Sequence, residues 1–214
     1  MGDEQDEQVE KRRGSFWREV PILIGVAVLV AVLVRAFVVQ TFFIPSQSME
    51  HTLDIDDKVL VNKLVYSVRE PRRGEIIVFE APLQWRGGTA DKDFIKRVIG
   101  VGGDRVQCCD AQHRITVNGH ALDEPYIFKG SDGVANQAAG GPFDITVPPD
   151  RIWVMGDHRA ASADSLEHWL TGQNVEEATI PADSVVGRAF TLFWPLGRAT
   201  WLTVPPTFDD VPAP

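Results

Sequence analysis

Two serines a residue apart, Ser46 and Ser48, stand in the stretch IPSQSMEHTL, residues 44–53, directly after the only apolar run of membrane length. A serine hydroxyl is a poor nucleophile and attacks only when a base within hydrogen-bond reach takes its proton. Five histidines could be that base: His51, His113, His120, His158 and His168. His113 and His120 fall in expected turns, and His51 is too close in sequence to serve Ser48 easily. The S-x-x-K spacing of penicillin-binding chemistry is met by none of the eight serines. A lysine is the remaining option, and it works only as the neutral amine. Burial among apolar groups favours that form by destabilising the ammonium. Lys96, in DFIKRVIGV, has such a setting. On a strand, Phe94 and Lys96 share one face and Ile95 takes the other. Taken alone, the segment suits an exposed lysine paired with an acid even better.

The elements that must position these groups read as β-rich. Short apolar runs such as KVLVNKLVY, GEIIVFEAP, RITVNG, FDITVPP, RIWVMGD and DSVVGRAFTLFWPL recur between Gly, Pro and Asp, an all-β pattern with hairpin-like breaks at VGGD and VNGH. A modest helix is expected over ADSLEHWLTG with Asp164 as its N-cap. The stretch from Lys129 to Pro142 reads as a surface loop. The expected organisation is a polar tail over 1–19, a transmembrane helix over 20–39, a mostly antiparallel β domain over 40–202 and a disordered proline-rich tail over 203–214.

The run VPILIGVAVLVAVLV, residues 20–34, carries no charge. Its fifteen residues make a helix of about 22 Å, and continuing to Val39 gives about 30 Å, enough to cross a bilayer if Arg35 snorkels outward. No pair of small residues follows it at signal-cleavage spacing, so it reads as a retained anchor. Lys11, Arg12, Arg13 and Arg18 precede it and no lysine or arginine occurs from Ala36 to Asp57. The positive-inside rule then puts the N-terminus in the cytoplasm and the β domain outside, at the plasma membrane. A net charge of −9 argues against a nucleic-acid partner. Cys108 and Cys109, the only cysteines, have neither zinc-site nor disulfide-framework spacing; a strained vicinal disulfide is one reading, and two reduced half-buried thiols is the favoured one. No metal or cofactor is expected.

Taken in order, PSQSMEHTL, DDKVLVNK, RRGEIIVFEAP…DFIKRVIGVGGD and MGDHRAASADS resemble the boxes of bacterial type I signal peptidases, the Ser-Lys leader peptidases. The resemblance runs from about Phe37 to Arg198. It implies Ser48 as acylating nucleophile, Lys96 as general base, and the Ser48 N–H with the Ser46 hydroxyl as oxyanion hole. It implies Ser162 as the residue that orients Lys96, Asp164 as a buried structural carboxylate and Arg97 as its charged neighbour. Ile44, Pro45, Met49, Leu53, Phe94 and Ile95 would line the pocket for the residue before the cut. Phe42, Ile44, Val59, Val78 and Ile95 would line a second pocket, although these positions also suit ordinary β core. Implied partners are signal peptides of secreted preproteins cut after small-x-small sites, the lipid bilayer and the secretion translocon.

The chain departs from the family pattern in places. His51 stands where the family has proline, and His158, Ala160, Ala161 and Leu166 replace Asn, Asp, Asn and Arg of GDNRDNS-x-DSR. Leu166 removes the arginine that pairs with the box carboxylate, leaving Asp164 to find Arg159 or Arg97. These changes motivate an alternative: a catalytically impaired relative that binds signal peptides or scaffolds a secretion complex. A self-cleaving repressor-type Ser-Lys protease fits poorly, because an anchor replaces the DNA-binding region.

Overall fold

The structure, a computed structural model, describes residues 19–30, 32, 35 and 38–214. Residues 1–18, nearly all of the expected polar tail, lie outside it. Residues 19–30 are helical. Among the described residues no helix is long and apolar enough to cross a membrane. The span expected over 20–39 falls partly on residues outside those described, and its last residue, Val39, opens a strand instead. The chain divides into two units, 1–39 and 40–214.

Twelve strands follow in the described residues: β1 (Val39–Phe43), β2 (Lys58–Asn62), β3 (Ile76–Glu80), β4 (Asp93–Val101), β5 (Arg105–Cys108), β6 (Ile115–Val117), β7 (His120–Ala121), β8 (Phe143–Thr146), β9 (Arg151–Met155), β10 (Ile180–Pro181), β11 (Val185–Trp194) and β12 (Thr200–Trp201). The larger sheet has the order β1-β2-β11-β3-β4-β9-β10, with β12 on β11; the smaller runs β7-β6-β5-β8. From β2 onward the paired neighbours are antiparallel. The fold is mainly β, as the spacing of apolar runs predicts.

The period-2 alternation of β3 builds both faces of the larger sheet. Ile76 and Val78 join Ile44, Met49, Leu53, Val59, Ile95 and Leu192 on one side. Ile77 and Phe79 join Trp85, Val98, Ile152, Val154 and Ile180 on the other. A third core, built on Ile99, Val106, Val117, Phe143, Trp153 and Met155, ties β4 and β9 to the smaller sheet. β4 therefore contacts all three cores and is buried along most of its length, so a polar side chain on it leaves water.

Of the two expected hairpins, VNGH is one: Asn118 and Gly119 both have positive φ and join β6 to β7, with Val117 opposite His120. VGGD is not. There the chain leaves the larger sheet for the smaller, and buried Asp104 closes the turn by accepting the Val101 N–H at 2.8 Å while pairing with Arg73.

Two further expectations are corrected. The proline-rich tail is ordered: Phe208 and Val211 are buried in the third core, and Asn118 Nδ2 donates to Pro212 O at 2.9 Å. Val204 packs against the same core, and proline has already removed much of the backbone freedom that ordering would cost. Cys108 and Cys109 are joined to each other as a vicinal disulfide; adjacency in the chain brings the two sulfurs within bonding reach without any framework.

Candidate active site

Ser48 is carried by a single 3-10 turn, Gln47–Met49, between β1 and β2. Met49 is fully buried in the core beneath, and the Leu53 N–H donates to Met49 O at 2.7 Å. Lys96 comes from the middle of β4, opposite Ile77 of β3. Its Nζ donates to Ser48 Oγ at 2.6 Å and to Ile95 O at 3.1 Å. Ser48 and Lys96 are 6% and 4% exposed, so the contact is shielded from bulk water. Burial lowers the Lys96 pKa from 10.5 to about 8, against the opposing pull of Asp164 and Asp157. An amine in this state is neutral often enough to accept a proton near neutral pH.

Ser46 lies on the exposed side of the pair, its Oγ 3.4 Å from Ser48 Oγ. It is also the N-cap residue of the turn but makes no side-chain cap bond. Its hydroxyl is therefore not committed to the backbone of its own turn. The pocket residues divide. Ile44, Met49, Leu53, Val59, Val78 and Ile95 form one cluster with Phe42 against it. Phe94 packs with the opposite core, its ring 6.3 Å from Phe79 and 5.7 Å from Lys96 Nζ, so Phe94 and Lys96 do share a face. Pro45 is exposed between Ile44 and Ser46.

The segment after β9 closes the site. Gly156 sits so tightly that a Cβ there would strike Ser162 Oγ and the Ser48 carbonyl oxygen. Ser162 is thus beside Ser48, yet its Oγ is buried without a hydrogen-bond partner and makes no bond to Lys96. Asp164 pairs with neither Arg97 nor Arg159. It caps the helix Ser165–Gly172, accepting the Leu166 N–H at 3.0 Å, and takes the Gly156 N–H at 2.9 Å. Arg97 instead grips Asp157 through two bonds of 2.8 and 2.6 Å, and Arg159 pairs with Glu124 at 2.5 Å. Asp157 also accepts from Thr52 Oγ1 at 2.5 Å, tying β4 to the chain just past Ser48. Thr52, Asp157 and Gly156 lay inside the motifs, but their types carry no signal of these contacts.

A shielded serine-lysine pair, with spare hydroxyls beside it, can perform acyl transfer. The family described as signal peptidase, peptidase S26, matches residues 17–194. The chain belongs to that family. Like the signal peptidase family generally, it is a serine peptidase. It is 34% identical over 229 residues to a signal peptidase I of Mycobacterium tuberculosis (strain ATCC 25618 / H37Rv), covering 90% of this chain and 77% of that one. It is 36% identical over 200 residues to a probable signal peptidase I-2 of Synechocystis sp. (strain ATCC 27184 / PCC 6803 / Kazusa), covering 94% and 84%. Among solved structures, a signal peptidase I from Enterococcus faecalis V583 aligns at 27% identity and a TM-score of 0.42, over 56% of this chain and 97% of the other.

Proposed function

We propose that this chain is a membrane-anchored endopeptidase that removes signal peptides from exported preproteins, with Ser48 as nucleophile and Lys96 as base. The observation that carries the reading is the 2.6 Å contact between buried Lys96 Nζ and Ser48 Oγ. In the neutral amine the nitrogen lone pair turns to the hydroxyl and takes its proton as Oγ attacks the scissile carbonyl. The oxyanion is met by the Ser48 N–H and the Ser46 hydroxyl, donors of a kind typically worth about 3 kcal/mol each. Lys96 then hands its proton to the departing amine, leaving the signal peptide esterified to Ser48. A water deprotonated by Lys96 attacks that ester, and its collapse restores the serine and frees the signal peptide's new carboxylate.

The substrate lies as an extended strand, held by backbone bonds, with alternate side chains facing the cluster of Ile44, Met49, Ile95, Val59 and Val78. We read these side chains as lining shallow apolar pockets that reject large residues, which favours small-x-small sites. Residues 20–39 anchor the enzyme with its N-terminus in the cytoplasm, so that catalysis meets the substrate where its own apolar segment enters the bilayer, beside the translocon. The charge-free run over 20–34 and the basic residues before it support this placement.

The test is cleavage of a synthetic preprotein by the detergent-solubilised full chain, compared with Ser48→Ala and Lys96→Met. Cleavage by the wild type alone is expected. Equal product from all three proteins would refute the assignment.

A further inference from the structure

The turn that carries Ser48 has few supports of its own. It is three residues long and lacks a side-chain cap, and hydrogen bonds in 3-10 turns are poorer than those of an α-helix. A misplacement of 1 Å at a nucleophile can cost about 100-fold in rate, so the turn must be held from outside.

His158 holds it twice. Its backbone N–H donates to Ser48 O at 3.1 Å. Its Nδ1 lies 2.9 Å from Glu50 Oε2, two residues beyond the nucleophile. A carboxylate only accepts, so Nδ1 carries the hydrogen and donates it. The imidazole is stacked on Phe128 with centroids 3.9 Å apart, which fixes the ring plane. The side chains of His158 and Glu50 are 12% and 24% exposed, so the bond is partly shielded from water. Lys96 Nζ bonds to Ser48 and Ile95 and not to this pair.

We propose that His158 is a positioning residue for the nucleophile, acting through its side-chain bond to Glu50. The proposal rests on Ser48 being the nucleophile. His158 grips the turn at the Ser48 carbonyl and again at Glu50, so the two contacts set the direction in which Oγ leaves the backbone. It takes no proton from the serine. Its work is done on placement alone.

The experiment is steady-state cleavage of a synthetic preprotein by the solubilised full chain. Variants are His158→Ala, Glu50→Ala, the two combined, and His158→Asn, with Ser48→Ala as control. His158→Ala and Glu50→Ala should each lower kcat by about 10-fold with KM changed less than about twofold. The combined variant should be no worse than the poorer single one, because both remove the same bond. His158→Asn should keep kcat within about threefold, since its amide Nδ2–H occupies the place of the imidazole Nδ1–H. Losses that multiply in the combined variant, a defect confined to KM, or His158→Asn as poor as His158→Ala would each overturn the proposal. If His158→Ala fails to fold by circular dichroism, Glu50→Ala against Glu50→Gln, which keeps an acceptor oxygen, makes the same comparison. Undiminished cleavage by Ser48→Ala would instead refute the nucleophile assignment, and full Ser48 dependence with unimpaired His158→Ala would refute only the positioning role.

Discussion

Asp164 Oδ2 accepts the N–H of Gly156 at 2.9 Å, while its Oδ1 accepts the N–H of Leu166 at 3.0 Å. One carboxylate thus starts the helix Ser165–Gly172 and fixes the glycine that packs on the Ser48 carbonyl. With two backbone donors satisfied, the arginine that Leu166 replaces is not needed as a partner, and Leu166 itself is buried in the core. Asp164→Ala should cost about 2–3 kcal/mol, from a lost helix cap and an orphaned buried N–H, read as a lower urea midpoint.

The pH dependence of kcat/KM follows from Lys96. With a pKa lowered to about 8 by burial, about one amine in ten is neutral at pH 7, so activity should climb through pH 8 and level off above 9. A flat profile from pH 6 to 10 would argue against a lysine base. The Asp164 charge pulls the Lys96 value upward. Asp164→Asn should therefore move the rising limb to lower pH.

The same shift carries a stability signature. Lys96 titrates near 8 when folded and near 10.5 when free, so between those values the unfolded chain binds more protons. Stability from this group rises with pH across that window and is least below it. Lys96→Met, which removes a buried cation, should be more stable than wild type at pH 7. Urea midpoints of the two should converge as pH goes from 8 to 10.5.

Gly156→Ala should fold but lose activity by at least about 100-fold. The new methyl would collide with Ser162 Oγ and with the Ser48 carbonyl oxygen, and the backbone at Ser48 is what must give way. Wild-type rates from a folded Gly156→Ala protein would show that the segment does not constrain Ser48.

Asp157→Ala should be strongly destabilised, by about 3–5 kcal/mol, because it leaves the buried Arg97 guanidinium without its carboxylate. Denaturant titration measures this directly. The loss should exceed that of Arg105→Ala, whose partner Asp144 is about half exposed.

Period-2 alternation made the strands legible, and the turn chemistry of Asn118 and Gly119 gave the hairpin. The same logic misread VGGD because Asp104 is spent on a turn between sheets, which local pattern does not reveal. Ser48 and Lys96 were legible through motifs; their 2.6 Å contact depends on pairing between distant strands. The pairing of Arg97 with Asp157 and of Arg159 with Glu124 was not, since several arginines and acids offered equivalent partners in sequence. The order of the tail escaped notice because two apolar residues among prolines look like linker until a groove receives them.

The position of β11 has a consequence for the timing of synthesis. Ser48 precedes β2 and Lys96 lies in β4, and the strand that joins β2 to the β3–β4 pair is β11, residues 185–194. A chain still emerging has its serine and its lysine on pieces that share no backbone ladder. The pair therefore comes together on one ladder only once β11 has joined both pieces. Until then a serine peptidase still being made holds Ser48 and Lys96 on pieces that nothing yet aligns.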